Sequence, residues 1–80
     1  MDRETVEHIV EDYENDKQNR RFCLVIGRNN ERYGQTSPIH KPLKLFKLYD
    51  ENTLLIEFGS IKQHILIENI VSINFRNKLL

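Results

Sequence analysis

The sequence has one cysteine, Cys23, no tryptophan, three glycines and two prolines. A single thiol cannot form an internal disulfide, and secreted domains this short are usually stapled by several. A reducing compartment is therefore expected: the cytoplasm, or a host's cytoplasm for a phage-encoded chain. No segment approaches the roughly 20 consecutive apolar residues that span a bilayer. The opening MDRETVEHIVEDYEND lacks the basic flank and apolar stretch of a signal peptide, so no membrane attachment is expected. No P-loop, GxGxxG or serine-centred elbow occurs. His8, His40 and His64 form neither an HxH nor a helical i, i+4 pair, so metal and cofactor are both expected to be absent.

What is present is a folding chain. Hydrophobic residues make up 39% of the 80 positions and charged residues 30%, a globular balance. This length supports one domain, burying roughly 60–65% of its unfolded surface. Small-molecule pockets take about 300–1,000 Å³, which would hollow out so thin a core, so no small-molecule substrate is expected. The abundance of Asn, Lys and Ile suggests AT-rich coding.

The net charge of zero conceals three unlike segments. Residues 1–19 hold two basic and seven acidic side chains, a net of −5. Residues 20–49 hold seven basic side chains against Glu31, a net of +6. Residues 50–80 are near neutral, at −1. Such asymmetry implies an electrostatic partner or two segments that attract one another.

Val6, Ile9, Val10 and Tyr13 fall at i, i+3, i+4 and i+7, which predicts a helix over 3–16 with one apolar stripe. Asp2 or Thr5 can cap it. Glu14 and Asp16 lie near its negative end, where acids are unfavourable unless a cation answers them. Residues 21–27 predict a strand apolar on both faces, Phe22, Leu24 and Ile26 against Cys23 and Val25. That pattern fits a wall buried on one side by the core and on the other by the helix. Residues 28–42 read as one long loop, since Asn29-Asn30, Gly34, Pro38 and Pro42 all oppose regular structure; loops this long are often functional. Four more strands are predicted, at 43–49, 53–58, 61–67 and 70–75, with turns at 50–52 and 59–60 and a 3₁₀ turn near Glu68-Asn69. Leu45-Phe46 breaks alternation and suggests a bulge. Ile61, Ile65, Ile67, Val71, Ile73 and Phe75 are expected inward. The tail from Arg76 is expected to fray or to serve an interface. The fold class is mainly β with an N-terminal helix, a five-stranded barrel spanning 21–75.

Tyr49-Asp50-Glu51-Asn52-Thr53-Leu54-Leu55-Ile56 resembles the second-strand, turn and third-strand element of Sm-like proteins. His64-Ile65-Leu66-Ile67-Glu68-Asn69-Ile70-Val71-Ser72-Ile73 is similar to the closing strands of Hfq, the Rho inhibitor Rof and YolD-like proteins. The resemblance covers residues 43–75 and implies an Sm/SH3-like small barrel. The Tyr-Lys-His phrase with which Hfq binds uridine-rich RNA is missing, because Leu66-Ile67-Glu68 stands there. The Arg-Gly of the eukaryotic second Sm motif is missing too. The resemblance therefore implies the fold and does not carry over the RNA site.

Cys23, flanked by Phe22 and Leu24, reads as a small buried hydrophobe. No residue is assigned a catalytic role, and the chain is not expected to be an enzyme. The candidate partner-binding set is Arg28, Arg32, Tyr33, His40, Lys41, Lys44 and Lys47: five cations and two rings in or beside the 28–42 segment. Cations with interleaved rings suit nucleic acid, Arg and Tyr also anchor protein interfaces, and a solvated loop paired with the acidic helix is the plain alternative. A sequence pI near 6.8 weighs against nucleic acid. Glu7, Glu11 and Glu14 form a secondary acidic face, either solvated, clamped to the chain's own basic strand, or turned to a partner. The reading is a non-enzymatic regulator or inhibitor of the Rof or phage-antagonist type that binds a protein, with an Sm-like RNA-binding module as the alternative. Self-association stays open.

Overall fold

The computed structural model describes residues 1–78. Helix α1 (Arg3–Asn15) is followed by a 3₁₀ turn at Lys17–Asn19 and strand β1 (Phe22–Gly27). A second 3₁₀ turn, Arg28–Asn30, leads to β2 (Arg32–Gly34), and then come β3 (Leu43–Asp50), β4 (Thr53–Phe58) and β5 (Ile61–Leu66). A third 3₁₀ turn, Ile67–Asn69, precedes β6 (Ile70–Arg76). No described helix is long and apolar enough to cross a membrane. Of the tail called frayed or interfacial, Arg76 belongs to β6, and residues 79–80 lie outside the described residues.

Mainly β with one N-terminal helix is the architecture found; the five-stranded barrel is not. Six strands form two three-stranded antiparallel sheets, sheet A in the order β2-β1-β6 and sheet B in the order β3-β4-β5. The extra strand lies inside the segment read as a long loop. Asn29 and Asn30 adopt positive φ, 59° and 61°, which Asn tolerates better than most residues, and they reverse the chain. The Gly27 N–H donates to the Glu31 carbonyl at 2.7 Å. A hairpin results, with Leu24 opposite Gly34, Val25 opposite Tyr33 and Ile26 opposite Arg32. Three residues are too few to show alternation, so β2 was invisible to periodicity.

No continuous backbone ladder joins the two sheets: the Leu43 N–H at the start of β3 donates to the Arg21 carbonyl just before β1 at 2.7 Å, one glutamine side chain crosses from sheet B to sheet A, and another secures the loop that leads into β3. Gln63 Oε1 on β5 accepts from the Gly34 N–H at 2.7 Å. Gln35, only 3% exposed, accepts from the Cys23 N–H through Oε1 at 2.8 Å. Its Nε2 reaches the Lys41 carbonyl at 3.3 Å and the Arg21 carbonyl at 3.5 Å. A primary amide carries a donor and an acceptor at its tip, so it can occupy a place in a ladder that backbone does not fill.

The core lies between the inner faces of the sheets and is closed by α1. Val6, Val25, Phe46, Leu54 and Ile56 are fully buried, with Cys23, Phe58 and Ile70 at 1% exposure. Val6 and Tyr13 are the buried members of the helical stripe, while Ile9 and Val10 are half-buried against the same cluster. Tyr13 sits 5.4 Å from Phe46 and 6.0 Å from Phe75, and those two rings are 5.0 Å apart. This triad ties the helix to a strand of each sheet. Asp2 caps α1 by accepting from the Thr5 N–H at 2.9 Å. The acids at the far end are answered locally, Asp16 by Arg20 at 2.6 Å and Glu14 by Lys17 at 3.1 Å.

Two inward assignments fail for geometric reasons, and one bulge is displaced. Between β1 and β6 the register slips at Ile26/Gly27, so that Ser72 faces Ile26 while Ile70 faces Gly27. Val71 is the extra residue of that bulge and is pushed out to 61% exposure, and Ile70 takes the inner place. Ile61 pairs with Phe58 at the very end of sheet B and is 38% exposed. The bulge foreseen at Leu45-Phe46 occurs one residue earlier, where Lys44 is skipped between Leu43 and Leu45; a second skips Tyr49.

Candidate docking face

Residues directly opposite in an antiparallel pair share a face, so register sorts the side chains of sheet A. Cys23, Val25, Tyr33, Ile73 and Phe75 line the inner face. Phe22, Leu24 and Ile26 run along the outer face, flanked by Arg32 and Gly34 on β2 and by Ser72, Asn74 and Arg76 on β6. The outer ridge was expected to lie under the helix. It does not: α1 packs against β3 and the inner core, and Phe22, Leu24 and Ile26 are half-buried without joining the core cluster.

At one end of this ridge a cation lies over the ring of Phe22. The Arg21 guanidinium lies 5.8 Å from the Phe22 ring centre, close enough for a cation–π contact. A groove of about 210 Å³ lies along the Phe22–Leu24 end of the ridge, lined by Phe22, Cys23, Leu24, Arg32, Gln35, Thr36 and Arg76. Gly34 contributes no side chain beside Leu24. It cannot, because its φ is +92° and a Cβ would sit 2.2 Å from the Cys23 carbonyl oxygen. Among the described residues, Arg21, Arg32 and Arg76 have no carboxylate within ion-pair distance, and no acid occupies the outer register of this sheet.

The seven candidate residues do not form one surface. Arg28 and Arg32 are exposed on the β1–β2 hairpin. Tyr33, read as a loop aromatic, packs inward opposite Val25, and its hydroxyl donates to Glu31 at 2.8 Å, which raises its pKa. His40 organises the remaining loop of residues 35–42. Its Nδ1 accepts from the N–H groups of Thr36 and Ser37, both at 3.2 Å, and its ring lies 5.1 Å from Phe58. Lys41 lies beside it, exposed. Lys44 and Lys47 are elsewhere, on the outer side of sheet B, with Lys44 3.7 Å from Glu57. Of the seven, only Arg32 lines the groove. Arg21, Phe22, Leu24, Ile26 and Arg76 were missed; the second apolar face of β1 was their one sequence signal.

The acidic face is not clamped to a basic strand. Glu7 pairs with Arg3 at 2.7 Å and Glu14 with Lys17, while Glu11 has no ion-pair partner among the described residues. All three are exposed. A larger hollow of about 460 Å³ lies near the β3–β4 turn, lined by Arg3, Glu51, Asn52, Leu66, Ile67 and Glu68 together with Met1. Such a volume was not foreseen from the chain's length. Its charges are of both signs and select no ligand class. Cys23 is 1% exposed, and burial pushes its thiol up to about 12, so little thiolate exists at neutral pH. Among the described residues no group of three or more His, Cys, Asp or Glu is placed to hold a metal ion.

No protein-family model, curated protein or solved structure matches the chain.

Proposed function

We propose that this chain is a small non-enzymatic protein-binding module, a regulator or inhibitor that works by covering a partner's surface, and that it docks through the outer face of sheet A. One observation carries the reading: an apolar ridge that no element of the fold covers, ringed by three arginines and free of carboxylates. Arginine and large apolar side chains around a desolvated centre are what protein interfaces use as anchors. The order of elements, a helix and short strands with a 3₁₀ turn before the last, supports an Sm/SH3-like relationship.

The test places a photo-crosslinking residue at Leu24 and, as a control, at Thr5 on the helix, and captures partners from cells with and without nuclease. A protein captured at Leu24 alone, insensitive to nuclease, is the expected result. Equal capture at both positions would place the docking face elsewhere.

RNA binding is the second reading, favoured by the outer face of sheet B. There Tyr49, 59% exposed, meets His64 edge-on at 4.7 Å, with Lys47 and Lys62 in adjacent rows. Asp50 and Glu51 follow Tyr49 directly and would repel phosphate. A steep fall of affinity with salt and loss of capture on nuclease treatment would favour this reading.

A further inference from the structure

Resting on the docking face just described, we infer that its occupant is an extended acidic segment of the partner protein, with one apolar side chain held between two carboxylates. The register sets the pattern. Arg76 stands opposite Phe22 on one flank of β1, and Arg32 stands opposite Ile26 on the other. Phe22 and Ile26 are four residues apart, roughly 13 Å along a strand. The two guanidiniums therefore mark opposite ends of a path that crosses the ridge obliquely. Between them lies Leu24, whose β2 partner Gly34 adds no side chain, and Phe22 and Leu24 line the groove together with both arginines. Because β2 and β6 flank β1 on opposite sides, the two arginines are also roughly 10 Å apart across the sheet, about 16 Å in all; an extended ligand chain with carboxylates about five residues apart matches this spacing, and a side chain between them meets Leu24 and Phe22.

The cations favour this occupant over a nucleic acid. Guanidinium pairs bidentately with a carboxylate as readily as with a phosphate, so charge alone does not choose. The ridge does. Single-stranded nucleic acid binds through rings on which bases stack, whereas two of the three ridge residues are aliphatic and the Phe22 ring carries Arg21. The chain as a whole is neutral, with an acidic helix, which lowers its attraction for a phosphate polymer.

The experiment titrates the isotope-labelled full chain with a short peptide that places aspartates on both sides of a central leucine. The same peptide with asparagine for aspartate, and an oligouridine, are titrated in parallel. The aspartate peptide is expected to shift the amide signals of Phe22–Ile26 and Gly34, and the R32Q/R76Q variant to bind it at least about tenfold more weakly with an unchanged unfolding midpoint. Equal binding of the asparagine peptide, shifts confined to other surfaces, or preference for oligouridine would each overturn the inference. So would disappearance of the face's own signals with rising protein concentration, which makes a second copy the occupant. If Leu24→Asp abolishes capture of the cellular partner while no acidic peptide binds, the docking face stands and this occupant falls. If Leu24→Asp leaves capture intact, the face itself is wrong.

Discussion

Replacing Gln35 by Met tests how much a buried side-chain amide contributes where β1 meets the loop that leads into β3. The two side chains are similar in length and volume, so little is lost in packing, but Met offers neither the acceptor nor the donors. The Cys23 N–H, in a residue 1% exposed, loses its 2.8 Å partner. An orphaned buried donor costs about 1–3 kcal/mol. The carbonyls matter less: Arg21 O keeps the Leu43 N–H at 2.7 Å, and Lys41 is exposed. A total of about 2–3 kcal/mol follows, against a stability of roughly 4–12 kcal/mol for a domain this size. At a urea dependence of about 1 kcal/mol/M, the unfolding midpoint drops by about 2 M. Gln35→Glu sharpens the test. A carboxylate still accepts from Cys23 but turns its second oxygen toward the two carbonyls, so it destabilises more than Met at neutral pH and recovers in acid, where protonation restores a donor. If Gln35→Met unfolds within about 0.5 kcal/mol of the parent, the amide is not what secures this junction.

Three further outcomes are expected. Val6→Ala, at a fully buried site, should cost about 2–3 kcal/mol in urea unfolding; the half-buried Ile9→Ala should cost less although it removes more atoms, and the reverse order would mean that the helix packs on another stripe. Because burial raises the Cys23 pKa from 9.0 to about 12, the protonated thiol's contribution is complete below pH 9 and is lost as pH climbs toward 12. The parent should lose about 1.4 kcal/mol per pH unit relative to Cys23→Ala in that window, and parallel curves, or rapid thiol labelling of the native state at pH 7, would refute the burial. His40→Asn, which keeps an acceptor near the position of Nδ1, should preserve slow amide exchange at Thr36 and Ser37, whereas His40→Leu should speed it at those two sites; equal exchange in both variants would remove His40 from its organising role.

The parts legible in sequence are those fixed by local chemistry. The stripe of Val6, Ile9, Val10 and Tyr13 needs only helical spacing. The Asp50–Asn52 turn needs only a short side chain, and Asp50 does accept from the Asn52 N–H at 2.8 Å. Gly59 turns the chain with φ at +58°. The parts that were not legible depend on pairing. Asn29-Asn30 are the turn that the sequence suggests, but Arg32-Tyr33-Gly34 reads as loop because it is too short to declare a strand without its partner β1. Val71 was placed inward because the β1–β6 bulge is a property of two strands, not of one. The outer face of β1 was credited to the helix because alternation tells how many faces of a strand are apolar, not what lies on each. Arg21, Arg76 and Arg32 are 55 residues apart at the extremes, and only the sheet order β2-β1-β6 brings them to one side.

Securing the end of the β1–β2 hairpin and shaping the docking groove draw on overlapping but different residues, and this makes the two separable by experiment. Gln35 accepts from the Cys23 N–H along the β2 edge of β1 and also lines the groove with Thr36. Its own N–H donates to the Cys23 carbonyl at 2.9 Å, so the first residue after β2 extends the hairpin ladder and fixes the groove wall. Gly34 is required by the backbone, since a Cβ there would meet the Cys23 carbonyl, while the exposed arginines around the groove contribute little to stability. Variants at Gln35 should therefore lose stability and docking together. Arg32→Gln and Arg76→Gln should lose docking alone, with unfolding midpoints within about 0.5 kcal/mol of the parent. Arginine variants that unfold early would show that the guanidiniums also carry stability, and a Gln35 variant that is destabilised yet docks normally when fully folded would remove Gln35 from the docking groove.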